Sequence, residues 1–210
     1  MATEIELKAR VQDSEALKAL LHKKAEYSGA FYKEDTYWLL APGLPAPPVS
    51  RLRIRREKRS LLGGNNVSAT VVTYKTKEVR DGIEINDELE FNVNPGTKFE
   101  EFLKSVGFKP GTFKTKRGWD FSRDGVTAEL VEVEGLGWFI ELEILANDIN
   151  AENLEESVAE AKQKLLGFLD ELGISREAIE SRYYTEMLKD QTCRQQERAP
   201  DSQNAQDNAF

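Results

Sequence analysis

Charged and apolar residues alternate strictly along several segments of this chain, and that alternation limits the folds it can adopt. In residues 3–11, Glu4 and Glu6 fall on one side and Ile5 and Leu7 on the other. Successive side chains of a β-strand point to opposite faces, so this segment predicts a strand with one charged and one apolar face. The same pattern returns in later segments, which predicts a sheet with one charged face along most of its strands.

Turn-forming residues divide the rest of the chain into alternating and helical segments. Strands are expected at residues 3–11, 31–40, 50–59, 67–78, 83–93, 112–121, 125–134 and 138–146. Helices are expected at residues 14–27, 97–106, 151–172 and 175–188. Eight antiparallel strands can close into a barrel, which leaves no exposed sheet edge. The sequence therefore predicts an α+β fold, in which an eight-stranded antiparallel β-barrel is covered by amphipathic helices.

The sign of the charge is segregated by strand. Carboxylates are abundant on the first, fifth, seventh and eighth strands, whereas Arg and Lys hold the charged positions of the third, fourth and sixth. Any one such strand is most simply the solvated face of an ordinary sheet. The segregation, and the apolar surface that two long amphipathic helices must cover, favour a barrel whose apolar face points outward and whose charged face lines the interior.

A barrel interior that carries both signs of charge cannot be a dry core, because unpaired buried ions cost several kcal/mol each. The interior is therefore expected to be a wet tunnel or to hold a charged ligand. Rows of Arg and Lys suit phosphate oxygens. Clusters of Glu suit a hard divalent cation such as Mg²⁺ or Mn²⁺. Together they predict a site for a metal-bound polyphosphate, and they disfavour a carrier of apolar ligands.

Composition excludes several other kinds of chemistry. The chain has 210 residues with one His and one Cys, which rules out an internal disulfide and a zinc site of the usual Cys/His type. His22 is expected on a helix surface and Cys193 in a polar tail, so neither is a good nucleophilic or basic group. The net charge of -8 argues weakly against nucleic acid. No signal peptide and no transmembrane stretch is recognised, which predicts a cytoplasmic protein without a membrane partner.

A set of short motifs resembles the CYTH domain, or triphosphate tunnel metalloenzyme, superfamily. Glu4-Ile5-Glu6-Leu7-Lys8 is similar to its Glu-x-Glu-x-Lys signature. Further matches follow in the expected order: Leu52-Arg53-Ile54-Arg55, Thr73-Tyr74-Lys75, Glu88-Leu89-Glu90, Lys114-Thr115-Lys116-Arg117, and the segment 132–143 around Gly135-Leu136-Gly137. The order looks most like the class IV adenylate cyclase-like branch. The resemblance covers residues 1–188 and leaves 189–210 as a disordered polar tail.

The resemblance implies roles for individual residues. Metal ligands would be Glu4, Glu6 and Glu141, with Glu143 as a helper. Phosphates would be held by Lys8, Arg53, Arg55, Lys75, Lys77, Lys114, Lys116 and Arg117. Catalytic groups would be Lys8 and Lys75. For a phosphoryl-transfer mechanism, a second metal or a tunnel carboxylate such as Glu88 or Glu90 could activate the nucleophile. Relatives often carry Asp where this chain has Val131, and Glu129 on the same face is the expected substitute.

Three functions remain open on this basis. With water as nucleophile, the site would hydrolyse inorganic tripolyphosphate, thiamine triphosphate or a nucleoside triphosphate, and Mg²⁺ or Mn²⁺ would be the cofactor. With a ribose 3′-hydroxyl as nucleophile, it would cyclise ATP to cyclic AMP. A polyphosphate- or nucleotide-binding module without catalysis is the third alternative. The expected partner is a small-molecule triphosphate rather than nucleic acid, and a homodimer is compatible with this reading.

Overall fold

A computed structural model describes residues 2–40, 52–80, 82–146 and 154–198, and its centre is a closed antiparallel barrel. The strands are β1 Ala2–Arg10, β2 Glu26–Leu40, β3 Leu52–Leu61, β4 Asn66–Arg80, β5 Ile83–Asn92, β6 Phe108–Arg123, β7 Val126–Val133 and β8 Gly137–Ala146. Their order around the barrel is β1-β5-β4-β3-β2-β6-β7-β8. The predicted α+β barrel of eight strands is confirmed.

The main apolar core lies outside the barrel. The outward residues Ile5 and Leu7 of β1 and Ile140 and Leu142 of β8 are fully buried. They are covered by helix α3, Leu154–Glu171, whose inner face presents residues such as Leu165. Helix α1, Ser14–Lys24, also packs on this core. On β1 and β8 the alternation therefore places the apolar face outward beneath helices, as expected, and turns the charged face inward.

Helix α2, Gly96–Ser105, covers a smaller outer cluster on β2, β3 and β4 through Leu103.

Helix α1 is capped by Asp13, whose carboxylate accepts a hydrogen bond from the Ala16 amide at 3.0 Å. In the part of the chain that the structure describes, no helix is both long enough and apolar enough to cross a membrane.

The C-terminal helix differs from the prediction of one helix over 175–188. Ser175 caps only a short 3₁₀ turn, Arg176–Ala178. The chain then pairs with β1, where Ile179 bridges Ala9 and the Glu180 amide donates to the Lys8 carbonyl at 2.9 Å. These contacts hold the backbone extended and delay the next helix, α4, to Tyr184–Arg198.

Helix α4 therefore runs into the segment predicted as a disordered tail, and Cys193 is an exposed residue of that helix. His22 is exposed on α1, as the sequence predicts. The proline-rich segment 41–49 and residues 199–210 of the tail lie outside the described residues.

Candidate active site in the barrel

The barrel interior contains a cavity of about 960 Å³, and most of the residues that line it are charged. Twelve of the residues proposed from the sequence line it: Glu4, Glu6, Lys8, Arg53, Arg55, Lys75, Glu88, Glu90, Lys114, Lys116, Glu141 and Glu143. The period of two brings them to one face of each strand, and closure of the barrel turns these faces toward each other. The alternation of charged and apolar residues therefore explains why these twelve side chains share one cavity.

The structure does not bring Arg117 into this cavity. Its neighbour Lys116 points inward, so Arg117 points outward and donates to Glu132 of β7 at 2.5 Å on the barrel's outer face. Arg117 is removed from the phosphate-binding set for that reason. The backbone of Lys77 pairs with Asn86 in the β4–β5 ladder, but its side chain is outside the described part of the structure.

Three neighbouring carboxylates of the cavity have raised pKa values. Burial, with the neighbouring charges of Glu4 and Glu6, raises the pKa of Glu143 from 4.5 to about 8. Burial also raises the pKa of Glu4 to about 7, against the attraction of Lys75. The pKa of Glu6 is raised as well, by burial and by Glu84. Carboxylates that repel one another in this way are suited to a shared cation.

The ammonium group of Lys75 occupies the middle of this acidic cluster. Its Nζ atom lies 3.2 Å from a carboxylate oxygen of Glu4 and 3.9 Å from one of Glu6, and it also contacts Glu88. Among the described residues, no three acidic, His or Cys side chains converge at metal-ligand spacing. The oxygen-only donors still fit Mg²⁺ or Mn²⁺, because both prefer carboxylates and would relieve the repulsion among Glu4, Glu6 and Glu143.

Glu141 has a different environment from the other proposed metal ligands. Lys116 donates to both of its carboxylate oxygens, and this attraction outweighs burial and holds the pKa of Glu141 well below its usual range. Of the four carboxylates that the resemblance implies as metal ligands, Glu4, Glu6 and Glu143 have raised pKa values, whereas Glu141 is already paired with Lys116. Sequence spacing could not reveal this, because Lys116 lies on β6 and Glu141 two strands away on β8.

Several wall residues escaped the sequence analysis. Lys33, only 2% exposed, pairs with Glu129 at 2.5 Å, and the fully buried Asp35 contacts Arg55 and Lys114. Both lie on β2, where Phe31, Lys33, Asp35 and Tyr37 alternate. The aromatic residues of that strand concealed a charged inner face that the same period of two would have found.

Each proposed phosphate-binding cation whose side chain is described already has a carboxylate partner. The pairs are Lys8 with Glu84, Arg53 with Glu90, Arg55 with Asp35, Lys75 with Glu4, Lys114 with Asp35 and Lys116 with Glu141. This pairing allows a highly charged interior to exist without ligand, since an unpaired buried ion is the costly state. It also means that a bound polyphosphate competes with carboxylates for these cations.

Helix α4 closes part of the barrel with apolar side chains. Tyr184 and Met187 of α4 pack against the inward residues Phe31, Val131 and Phe139. Val131, at the position where the resemblance implies an Asp, is fully buried in this cluster rather than among the carboxylates. Glu129 lines the cavity two residues earlier, but Lys33 and Lys116 outweigh burial and lower its pKa, so it too is engaged by cations.

Comparison with known proteins agrees with the tunnel just described. Residues 2–184 match the CYTH domain, and the chain belongs to this family. Its barrel is thus the charged tunnel of a CYTH protein. A curated relative, "Putative adenylate cyclase MJ0240" of Methanocaldococcus jannaschii, is 25% identical over 185 residues, which cover 88% of this chain and 97% of the relative.

Solved structures with the same fold extend this comparison. The PH1819 protein of Pyrococcus horikoshii is 28% identical, with a TM-score of 0.71 over 90% of this chain and 99% of its own. The PH1012 protein of the same organism is 29% identical, with a TM-score of 0.67 over 87% and 98%. A Hippeastrum protein described as a "putative adenylyl cyclase" shares the fold at 16% identity, with a TM-score of 0.62 over 92% and 96%.

Proposed function

We propose that this chain is a metal-dependent triphosphatase, which hydrolyses a phosphoanhydride bond of a small-molecule triphosphate inside the barrel. The observation that carries the proposal is that both kinds of charged group line one cavity. Arg53, Arg55 and Lys114 are among its cations, and Glu4, Glu6 and Glu143 are among its carboxylates. Cationic rows bind phosphate oxygens, and a carboxylate cluster binds a divalent cation, so a metal-bound polyphosphate satisfies both.

The chain's own residues would perform most of the work by positioning and by charge. Arg53, Arg55, Lys8 and the lysines of β6 would hold the phosphate chain and offset the charge that develops on the leaving group. A bound Mg²⁺ or Mn²⁺, held by Glu4, Glu6 and Glu143, would supply Lewis-acid stabilisation of phosphate oxygens. Positioning and electrostatics are the main contributions expected for phosphoryl transfer.

Glu88, which lines the cavity, is the carboxylate proposed to accept a proton from the attacking water. Although burial opposes it, Lys75 lowers the pKa of Glu88, so this group is ionised at neutral pH but is a weak base while it is paired with Lys75. Lys75 in turn is held protonated, because Glu6 and Glu88 raise its pKa in spite of its burial. Glu90 is the alternative base, although it is engaged by Thr73 and Arg53.

The lysine side chains around the aromatic rings of the cavity favour hydrolysis over cyclisation of ATP. Cyclisation requires the ribose and base to be seated precisely, and aromatic rings are common platforms for a base. The Tyr184 ring is already flanked by the ammonium groups of Lys8, Lys114 and Lys116, between 5.1 and 5.5 Å from its centre. The Tyr37 hydroxyl accepts a hydrogen bond from Lys114 at 3.3 Å.

Adenylate cyclase activity is the second candidate, supported by the name of the Methanocaldococcus jannaschii relative. The Hippeastrum protein, by its own description, "reveals a dominant triphosphatase activity", so a cyclase name and hydrolysis occur together on this fold. A panel of tripolyphosphate, ATP and thiamine triphosphate with Mg²⁺ or Mn²⁺ decides between them. Orthophosphate as the main product supports hydrolysis, and cyclic AMP from ATP as the main product contradicts it. Tight binding without any product indicates the non-catalytic alternative.

A further inference from the structure

Asp35 is a buried carboxylate in the centre of the basic part of the barrel wall. It is fully inaccessible, and it is not among the residues that line the cavity. On the β2–β3 ladder it lies directly opposite Arg55, and on the β2–β6 ladder directly opposite Lys114. The order across three neighbouring strands is thus cation, carboxylate, cation, with both cations reaching the cavity and Asp35 behind them.

The contacts of Asp35 fix both cations at once. Arg55 donates to its two carboxylate oxygens at 2.7 and 3.0 Å, which is the bidentate geometry that restricts a guanidinium most strongly. The Lys114 ammonium lies 3.2 Å from the second oxygen and 3.3 Å from the Tyr37 hydroxyl. Arg55 and Lys114 hold the pKa of Asp35 well below its usual range in spite of burial, so these contacts persist at any working pH.

Asp35 differs in this respect from the other carboxylates that pair with cavity cations. Glu84, Glu88 and Glu141 line the cavity, where a ligand can displace them from their lysines. Asp35 is fully buried and is not among the lining residues, so a ligand in the cavity meets Arg55 and Lys114 before it meets Asp35. Its attachment to Arg55 and Lys114 is therefore expected to survive substrate binding.

We propose that Asp35 is a positioning residue, which sets the separation and direction of Arg55 and Lys114 so that the two cations bind adjacent phosphate oxygens. The inference rests on the proposed function, because it takes the ligand to be a polyphosphate. A carboxylate next to cations weakens their attraction for anions, so an electrostatic role alone would make Asp35 unfavourable for binding. Its benefit lies in pre-organisation, since two fixed cations lose less side-chain freedom on binding.

The test compares Asp35→Asn with the wild type and with Glu132→Gln. The control removes the carboxylate from another cross-strand pair, that of Glu132 with Arg117 on the outer face. KM and kcat are measured for tripolyphosphate with Mg²⁺, and the affinity for tripolyphosphate alone is measured by calorimetry. Asp35→Asn is expected to raise KM about tenfold or more, because the loss of one charge-assisted hydrogen bond costs about that much affinity. The affinity measured by calorimetry should weaken by a similar factor. Glu132→Gln should change neither.

Several outcomes would contradict a positioning role for Asp35. Tighter tripolyphosphate binding in Asp35→Asn, or an unchanged KM with only a lower melting temperature, would overturn the proposal. If Asp35→Asn does not fold, Arg55→Lys takes its place, because lysine keeps the positive charge but cannot donate to both oxygens of Asp35. This variant should also raise KM. An unchanged KM would refute the positioning role of Asp35. A wild type that neither binds nor cleaves tripolyphosphate refutes the proposed function itself, which separates the two failures.

Discussion

The Lys116 ammonium nitrogen lies 2.8 and 2.6 Å from the two carboxylate oxygens of Glu141, across the interior of the barrel. Both side chains are at least nine-tenths buried, at 5% and 10% exposure. This pair joins a strand expected to bind phosphate to a strand expected to bind metal. The two kinds of site are therefore coupled by their own side chains before any ligand arrives.

Glu141→Gln is expected to destabilise the protein, because it leaves the ammonium of Lys116 without its buried partner. Breaking one partner of a buried ion pair typically costs about 3–5 kcal/mol. Urea unfolding of the metal-free protein measures this directly. Glu143→Gln is the matched control, since Glu143 carries repulsive charge and its removal should maintain or increase stability. Equal destabilisation by both substitutions would contradict the different roles assigned to them.

The acidic cluster predicts a pH dependence of stability and of its response to metal. A carboxyl group with a raised pKa in the folded state binds its proton more tightly when folded. Its contribution to stability is therefore complete below 4.5 and is lost as pH rises toward about 7 for Glu4 and about 8 for Glu143.

A divalent cation should offset that loss, because it neutralises the same carboxylates once they are ionised. Mn²⁺ is thus expected to raise the melting temperature more at pH 8 than at pH 6, measured by differential scanning fluorimetry. The Glu4→Gln, Glu143→Gln double variant should lose most of this difference. If Mn²⁺ raises the melting temperature equally at both pH values, these carboxylates do not bind Mn²⁺.

Val131→Asp tests whether the Asp that the resemblance implies at this position would contribute to the proposed metal site. Val131 is packed against Phe31, Phe139 and Tyr184, so a carboxylate there would be buried among apolar groups. We expect a loss of stability of a few kcal/mol and no gain in Mn²⁺ affinity. Val131→Thr has nearly the same shape but adds no charge, so it should destabilise the protein less than Val131→Asp. A tighter Mn²⁺ complex in Val131→Asp would place this position in the metal site.

The alternation of charged and apolar residues was sufficient to predict the barrel and twelve of the residues that line its cavity. This succeeded because the period of two is a local property of each strand, and because an apolar outer face needs helices to cover it. Arg117 shows the limit of the same argument, since one residue of offset from Lys116 decides between the inside and the outside of the barrel. The charged face of β2 was missed because its aromatic neighbours dominated the composition of the segment.

The ion pairs could not be predicted, because they depend on which strands become neighbours and on their register. Asp35 meets Arg55 and Lys114 only through the β2–β3 and β2–β6 ladders, which join distant parts of the chain. The start of α4 depended on tertiary structure as well. Ser175 is a good helix cap, yet pairing of Ile179 with Ala9 of β1 overrides the local preference for a helix.

The most direct test of the central claim is orthophosphate release from tripolyphosphate by the wild type and three variants, with Mg²⁺ or Mn²⁺. Glu6→Gln and Lys75→Ala alter the cavity, whereas Arg117→Met alters a cation on the outer face. We predict metal-dependent release by the wild type and by Arg117→Met, and loss of release in Glu6→Gln and Lys75→Ala with folding preserved. Full activity in both cavity variants would contradict the assignment of the tunnel as the active site.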